Sequence, residues 1–243
     1  YDGVDLDWEF PSNSTDRTNL NTLVAALRAK FSSSPAPAPG WTISGDAVSA
    51  GACGAVPRQG DEFIITVKTD NPGTSNSTSF TISTLGGGYN YEVDWNDDGL
   101  YDQTGLTGNV THDYGAAGTY TLRIRGAFPR IHFGGGDDCR KLLDVNQWGS
   151  IAWTSMENAF TGCSNLNITA TDVPDLSGVT DMSNMFRECT ILNGPANIGT
   201  WNTANVTDMS GLFYEARRFN QPIGNWNTAN VTSMRFMFYY AQD

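Results

Sequence analysis

The sequence predicts a multidomain chain of three parts: an α/β segment over residues 1–56, an all-β region over 61–131 and a stacked repeat solenoid over 132–243. Three observations carry that reading. The chain opens on YDGVDLDWEF, a strand-like run with acids at alternate positions, and an amphipathic helix pattern follows it. The middle is a series of short β-rich runs separated by glycine-rich turn signals. From about Trp148 onward the sequence repeats itself at a spacing of 25 to 27 residues, inside the range of solenoids.

In the opening strand, successive side chains point to opposite faces. Asp5, Asp7 and Glu9 therefore share one face, and Val4, Leu6 and Trp8 the other. Neighbouring acids on such a face lie ~6–7 Å apart, so their ionisations couple and one acid holds a proton near neutral pH. A protonated acid beside ionised ones is the equipment of glycoside hydrolysis. DGVDLDWE resembles the DxxDxDxE strand of family 18 glycoside hydrolases, the chitinase-like (β/α)8 barrels, with Asp2, Asp5, Asp7 and Glu9 at the four acidic positions. The resemblance implies that Glu9 is the general acid. It makes Asp7 the residue that orients an N-acetyl group, whose carbonyl is the nucleophile, and it has Asp5 share a proton with Asp7. Thr15 or Asp16 can cap the following helix, whose apolar stripe is Leu20, Leu23, Val24, Leu27 and Phe31. Residues 41–50 (WTISGDAVSA) resemble the next barrel strand. A complete barrel needs roughly 250 residues, so the resemblance implies a barrel fragment that is inactive as this chain.

The middle contains FIITVKT (63–69), SFTIST (79–84), YNYEVDW (89–95) and TYTLRIRG (119–126), with DNPG, GGG, NDDG and GAAG between runs. Short strands so spaced predict a small β-sandwich. VDWNDDG and THDYGAAGTYTLRI resemble the PKD-type Ig-like module. Asp94, Asn96, Asp98, Gly99 and Asp102 match positions of a calcium loop, but Gly105 stands where the bidentate Glu belongs. A weak calcium site and a turn closed by Asx hydrogen bonds are the two readings there, and the turn is favoured.

The repeats begin MENAFTGCSNL at Met156, MSNMFRECTIL at Met182, MSGLFYEARRF at Met209 and MRFMFYYAQD at Met234. Phe160, Phe186, Phe213 and Phe238 follow each Met by four, and Cys163, Cys189, Ala216 and Ala241 by seven. That spacing predicts one buried face of a short helix in each repeat, with a Thr or Asp ahead of it as cap. The wording FNQPIGNWNTANVTDMSGLF resembles the BspA-type leucine-rich-like repeats of microbial surface proteins. The resemblance implies an α/β solenoid, a surface or secreted location and adhesion to host or matrix proteins. The non-core positions Arg187, Glu188, Tyr214, Glu215, Arg217 and Arg218 are the candidate interface. The last repeat has no polar cap, so the stack is expected to continue.

A net charge of −12, from 26 acids against 14 Lys and Arg, disfavours nucleic acid and anionic membrane surfaces as partners. No apolar run is long enough to insert in a membrane. Cys53, Cys139, Cys163 and Cys189 permit two disulfides, but Cys163 and Cys189 hold the position that later repeats give to Ala, which favours buried free thiols. Two functions are weighed. The first is a non-enzymatic secreted or surface interaction protein with an extracellular protein or matrix partner. The second is a fragment of a secreted chitinase acting on chitin-type polysaccharide. The sequence favours the first, with no resident cofactor beyond the calcium candidate.

Overall fold

The computed structural model describes residues 60–241, all within one compact unit, Gly54–Asp243. The strand, helix and barrel resemblance expected over residues 1–56 lie outside the described residues.

Eight strands form in chain order: β1 (Phe63–Lys68), β2 (Ser79–Ile82), β3 (Asn90–Asp94), β4 (Gln103–Leu106), β5 (Val110–Asp113), β6 (Thr119–Ala127), β7 (Leu142–Gln147) and β8 (Asn167–Ile168). Alternation decides which side each one buries. Phe63, Ile65 and Val67 of β1, Tyr91 and Val93 of β3, and Leu122 and Ile124 of β6 all lie in the core. Six strands pair in the order β4-β3-β6-β1-β7-β8, while β2 and β5 form a separate antiparallel pair. β7, which comes from beyond residue 131, lies against β1 on the side opposite β6. β7 then pairs in parallel with β8 inside the first repeat. β7 and β8 thus carry the strand region's main sheet into the first repeat, and one hydrophobic core runs beneath both from Phe63 to Met237. Where they meet, Phe63 packs on Phe128, Trp148 and Trp153 with ring centroids 6.4, 5.8 and 5.1 Å away.

The repeats are not helical. Among the described residues the only helical pieces are two short 3-10 turns, Cys139–Lys141 and Ile198–Thr200. The backbone explains why. The second and sixth residues after each leading Met have positive φ: Asn158 and Gly162, Asn184 and Glu188, Gly211 and Glu215, Phe236 and Tyr240. A left-handed residue at every fourth position is incompatible with a right-handed helix. The chain instead runs as a series of tight turns, with Ala159 N–H donating to Met156 O (3.1 Å) and Cys163 N–H to Phe160 O (3.0 Å). The amides left over point along the stack. Met156, Asn158, Phe160 and Gly162 donate to the carbonyls of Asp181, Ser183, Met185 and Arg187 at 2.8–3.0 Å. The pattern recurs from the second repeat to the third, Met182 to Asp208 and Glu188 to Tyr214 included. It recurs again from the third to the fourth, as in Phe213 to Met237.

Burial nevertheless follows the expected spacing in the first three repeats, while Met234 and Phe238 of the fourth are exposed. Met182, Met185, Phe186 and Cys189 are buried, and Phe160, Phe186, Phe213 and Phe238 stack at 5.8, 5.8 and 5.6 Å. The linking WNTANVT segments tie one repeat to the next through side chains. Asn205 Nδ2 donates to Ser177 O (2.8 Å) and Asn230 Nδ2 to Ala204 O (2.7 Å), and the Thr207 and Thr232 hydroxyls donate to Thr180 O and Thr207 O.

The expected fold class is corrected by these findings. The described residues are nearly all strand and turn, and their sheets are open. The all-β region is not a self-contained Ig-like sandwich, because β7 completes its sheet. The repeats are not an α/β leucine-rich-like solenoid, because they contain no α-helix. No barrel fragment is present among the described residues.

Candidate functional site

The four acids of the opening strand, Asp2, Asp5, Asp7 and Glu9, lie outside the described residues. The other candidates can be placed.

The loop after β3 carries Asp94, Asn96, Asp98 and Asp102. Asp94 is fully buried. Its Oδ1 accepts the N–H groups of Asn96 (3.2 Å) and Asp98 (3.3 Å), and its Oδ2 accepts that of Gly99 (2.8 Å). Asp102 Oδ2 accepts Trp95 N–H at 2.8 Å, and Asp98 Oδ1 accepts Leu100 N–H at 2.8 Å. Asp97, at φ 60°, pairs with Arg123. These carboxylates are turned inward to backbone amides, the geometry of linked Asx turns. Among the described residues no group of three or more His, Cys, Asp or Glu side chains is arranged to hold a metal ion.

Cys139, Cys163 and Cys189 are buried free thiols. Burial pushes the Cys163 and Cys189 thiols well above their usual range, while a hydrogen bond with Cys163 lowers that of Cys139. A thiol that stays protonated and out of solvent is a poor nucleophile.

The repeat face is where exposed chemistry gathers. The fifth residue after each leading Met is Thr161, Arg187, Tyr214 and Tyr239 in turn. Because successive repeats stack in register, these side chains form one row. The Arg187 guanidinium lies 4.1 Å from the Tyr214 ring centroid, and Tyr214 stacks on Tyr239 at 5.0 Å. Such cation–π and stacked pairs fix long side chains against one another. Glu188 pairs with Arg187 (3.1 Å) and Glu215 with Arg217 (3.4 Å). Arg217 and Arg218 are exposed. Arg217 and Arg218 also line a groove of about 850 Å³ with Ile191, Phe219 and Ala241. The sequence reading missed Asn184, Gly211, Arg235 and Phe236 on this face, since only the left-handed turns bring them beside Tyr214. The signal that could have found them was the Asn, Asn, Gly at one position of three repeats, a pattern that tolerates positive φ.

Comparison with known proteins adds one family. Residues 154–243 match the family described as Mycoplasma protein of unknown function, DUF285. No curated protein and no solved structure matches the chain. The match covers the repeats and carries no known activity. With the lack of α-helix among the described residues, it replaces the three expected resemblances: the family 18 glycoside hydrolase, the PKD-type module and the BspA-type leucine-rich repeat are not upheld. Among the described residues no helix is long and apolar enough to cross a membrane.

Proposed function

We propose that this chain is a secreted or cell-surface interaction protein whose repeat face binds an extracellular partner. The observation that carries the reading is the row Arg187, Tyr214 and Tyr239, laid across successive repeats on the outside of the packed stack of phenylalanines. Tyr and Arg are the residues most often found at the centres of interfaces, and a stack that repeats in register offers them as a continuous surface. Charge distribution supports it. Residues 182–243 hold four arginines and four acids, so the net charge of −12 is carried by residues 1–181. The second to fourth repeats are therefore neutral where the rest of the chain repels acidic surfaces. An acidic, Asn/Thr/Gly-rich chain with no membrane-crossing helix among its described residues suits the extracellular setting.

Capture of the purified chain on surfaces coated with extracellular matrix tests this. The double variant Arg187→Ala/Tyr214→Ala should lose about tenfold or more in capture, the loss expected of two central contacts. Undiminished capture by a folded variant would overturn the reading.

A further inference from the structure

On the exposed face, the second to fourth repeats enclose a groove of about 470 Å³, inside the size range of small-molecule sites. Its origin lies in one column. The second residue after the leading Met is Asn158, Asn184, Gly211 and Phe236 in successive repeats. Gly211 removes the side chain from that column for one repeat. Asn184 leans into the gap, its Oδ1 lying against the place a Cβ on Gly211 would occupy. Phe236, 58% exposed, closes one side. Tyr214 forms a wall, held rigid between Arg187 and Tyr239. Across from it stand Asp208, Ser210, Ser233 and Arg235.

Two of the three charges within the groove have partners of their own. Asp208 Oδ1 accepts Ser210 N–H at 2.7 Å, and the Arg187 guanidinium is paired with Glu188 at 3.1 Å. Arg235 lies over the Phe236 ring at 5.6 Å, so the groove holds charges of both signs spaced around its rim rather than a cluster of one sign aimed at an ion. What the groove offers is aromatic surface beside an amide, a carboxylate, two hydroxyls and a guanidinium, with donors and acceptors in one rim. A sugar ring fits that offer: one face is C–H and packs on aromatic rings, while its hydroxyls each donate and accept. A protein anchor would use the same Tyr and Arg, but it has no need of the amide, carboxylate and hydroxyl groups ranged around them in one rim.

We infer that the Gly211 groove binds a neutral saccharide unit of an extracellular polysaccharide, a site that rests on the repeat face being the interaction surface. Tyr214 and Phe236 supply the ring contacts. Asn184, Asp208 and Arg235 supply the hydroxyl contacts.

Affinity electrophoresis of the full chain through gels containing mannan, a β-glucan, soluble chitin oligosaccharides or heparin tests it. Retardation by at least one neutral glycan, unchanged by added salt, is expected. Gly211→Asn should abolish it by filling the groove, because Asn already occupies this column at φ 53° and 54° in the two preceding repeats. The Asn184 side chain has to turn aside to admit the new Cβ, so the variant should unfold cooperatively at or slightly below the parent's melting temperature. Should Gly211→Asn fail to fold, Tyr214→Ala gives the same reading, with about tenfold weaker retardation for one lost aromatic wall. No retardation by any neutral glycan overturns the assignment, as does retardation by heparin alone that salt removes. So does a folded Gly211→Asn that is retarded as before. If matrix capture persists while neutral glycans fail, the interaction reading stands and only the saccharide assignment falls. Loss of both sinks both.

Discussion

Lys141 is the residue that the sequence hides best. It is 1% exposed, yet the three protons of its ammonium are shared among Ser75 O, Ser75 Oγ, Asn76 O and Ser79 O at 2.7–3.1 Å. Asp138, also buried, lies 3.8 Å away and accepts from Ser75 N–H, Ser75 Oγ and Thr81 N–H. Together they fasten the loop between β1 and β2 to the start of β7. Removing one member of such a cluster strands the others without water, so Lys141→Met should destabilise by about 3–5 kcal/mol in urea unfolding. A cost under 1 kcal/mol would mean that water enters the site. His112 gives a second residue-level expectation. It stacks on Trp95 at 4.8 Å, and burial lowers its pKa from 6.5; burial, then Arg130, lowers that of His132 likewise. The unfolded chain then binds more protons at mildly acid pH. The stabilisation is present above about pH 6.5 and is lost as pH falls through the lower folded values. The melting temperature should therefore drop on acidification below that pH, and His112→Gln/His132→Gln should flatten the drop.

At the scale of elements, the stacked phenylalanines hold the repeats. Phe186 and Phe213 are completely buried, each between the rings of neighbouring repeats. Truncation to Ala should cost about 3–5 kcal/mol at either position, measured by chemical denaturation. The left-handed positions set a different rule. Asn184→Gly should be tolerated, whereas Asn184→Val should lose more than the missing hydrogen-bonding group explains, because a β-branched residue resists φ 54°. This element also shows what could be read in advance. The Met, Phe and Cys or Ala positions of the first three repeats are buried as their spacing says, since burial depends on which side a residue faces, whereas Met234 and Phe238 of the fourth are 43% and 49% exposed. The helix was wrong because the same spacing arises from alternating turns, whose signal was the Asn and Gly at the second and sixth places rather than the apolar stripe. The Asp181 and Asp208 carboxylates do accept nearby amides, from Ser183 and Ser210 at 2.8 and 2.7 Å, but they close turns rather than cap helices.

For the described part of the molecule, β7 and the shared core decide cooperativity. β1 is flanked by β6 from the strand region and β7 from the lead-in to the repeats, so neither part can leave without exposing Phe63, Trp148 and Trp153. Urea unfolding followed by tryptophan fluorescence and by far-ultraviolet circular dichroism should give coincident transitions for this part. Two resolved steps would show that the repeats unfold by themselves. The runs that became β1, β2, β3 and β6 were visible as alternating β-rich segments, while β4, with QTGL and little buried surface, carried no such signal. The pairing of β7 with β1 joins residues about eighty positions apart in sequence, and no local pattern announces that. The Arg–Tyr row was half legible: Arg187 and Tyr214 were named as variable positions, but their partners across repeats depend on the register of the stack.

The ladder between repeats has an electrical consequence. The peptide joining Asp181 to Met182 accepts from Met156 N–H and donates to Asp208 O, and the peptide after Asp208 passes the pattern to Ser233. Four such columns run side by side, with their dipoles aligned. At one end Phe133, Gly134 and Gly135 donate to the carbonyls of Ala159, Asn158 and Thr161, which covers part of the negative pole. Aligned peptide dipoles polarise one another, so each ladder bond strengthens its neighbours along the column and the repeats hold one another more firmly together than any pair would alone.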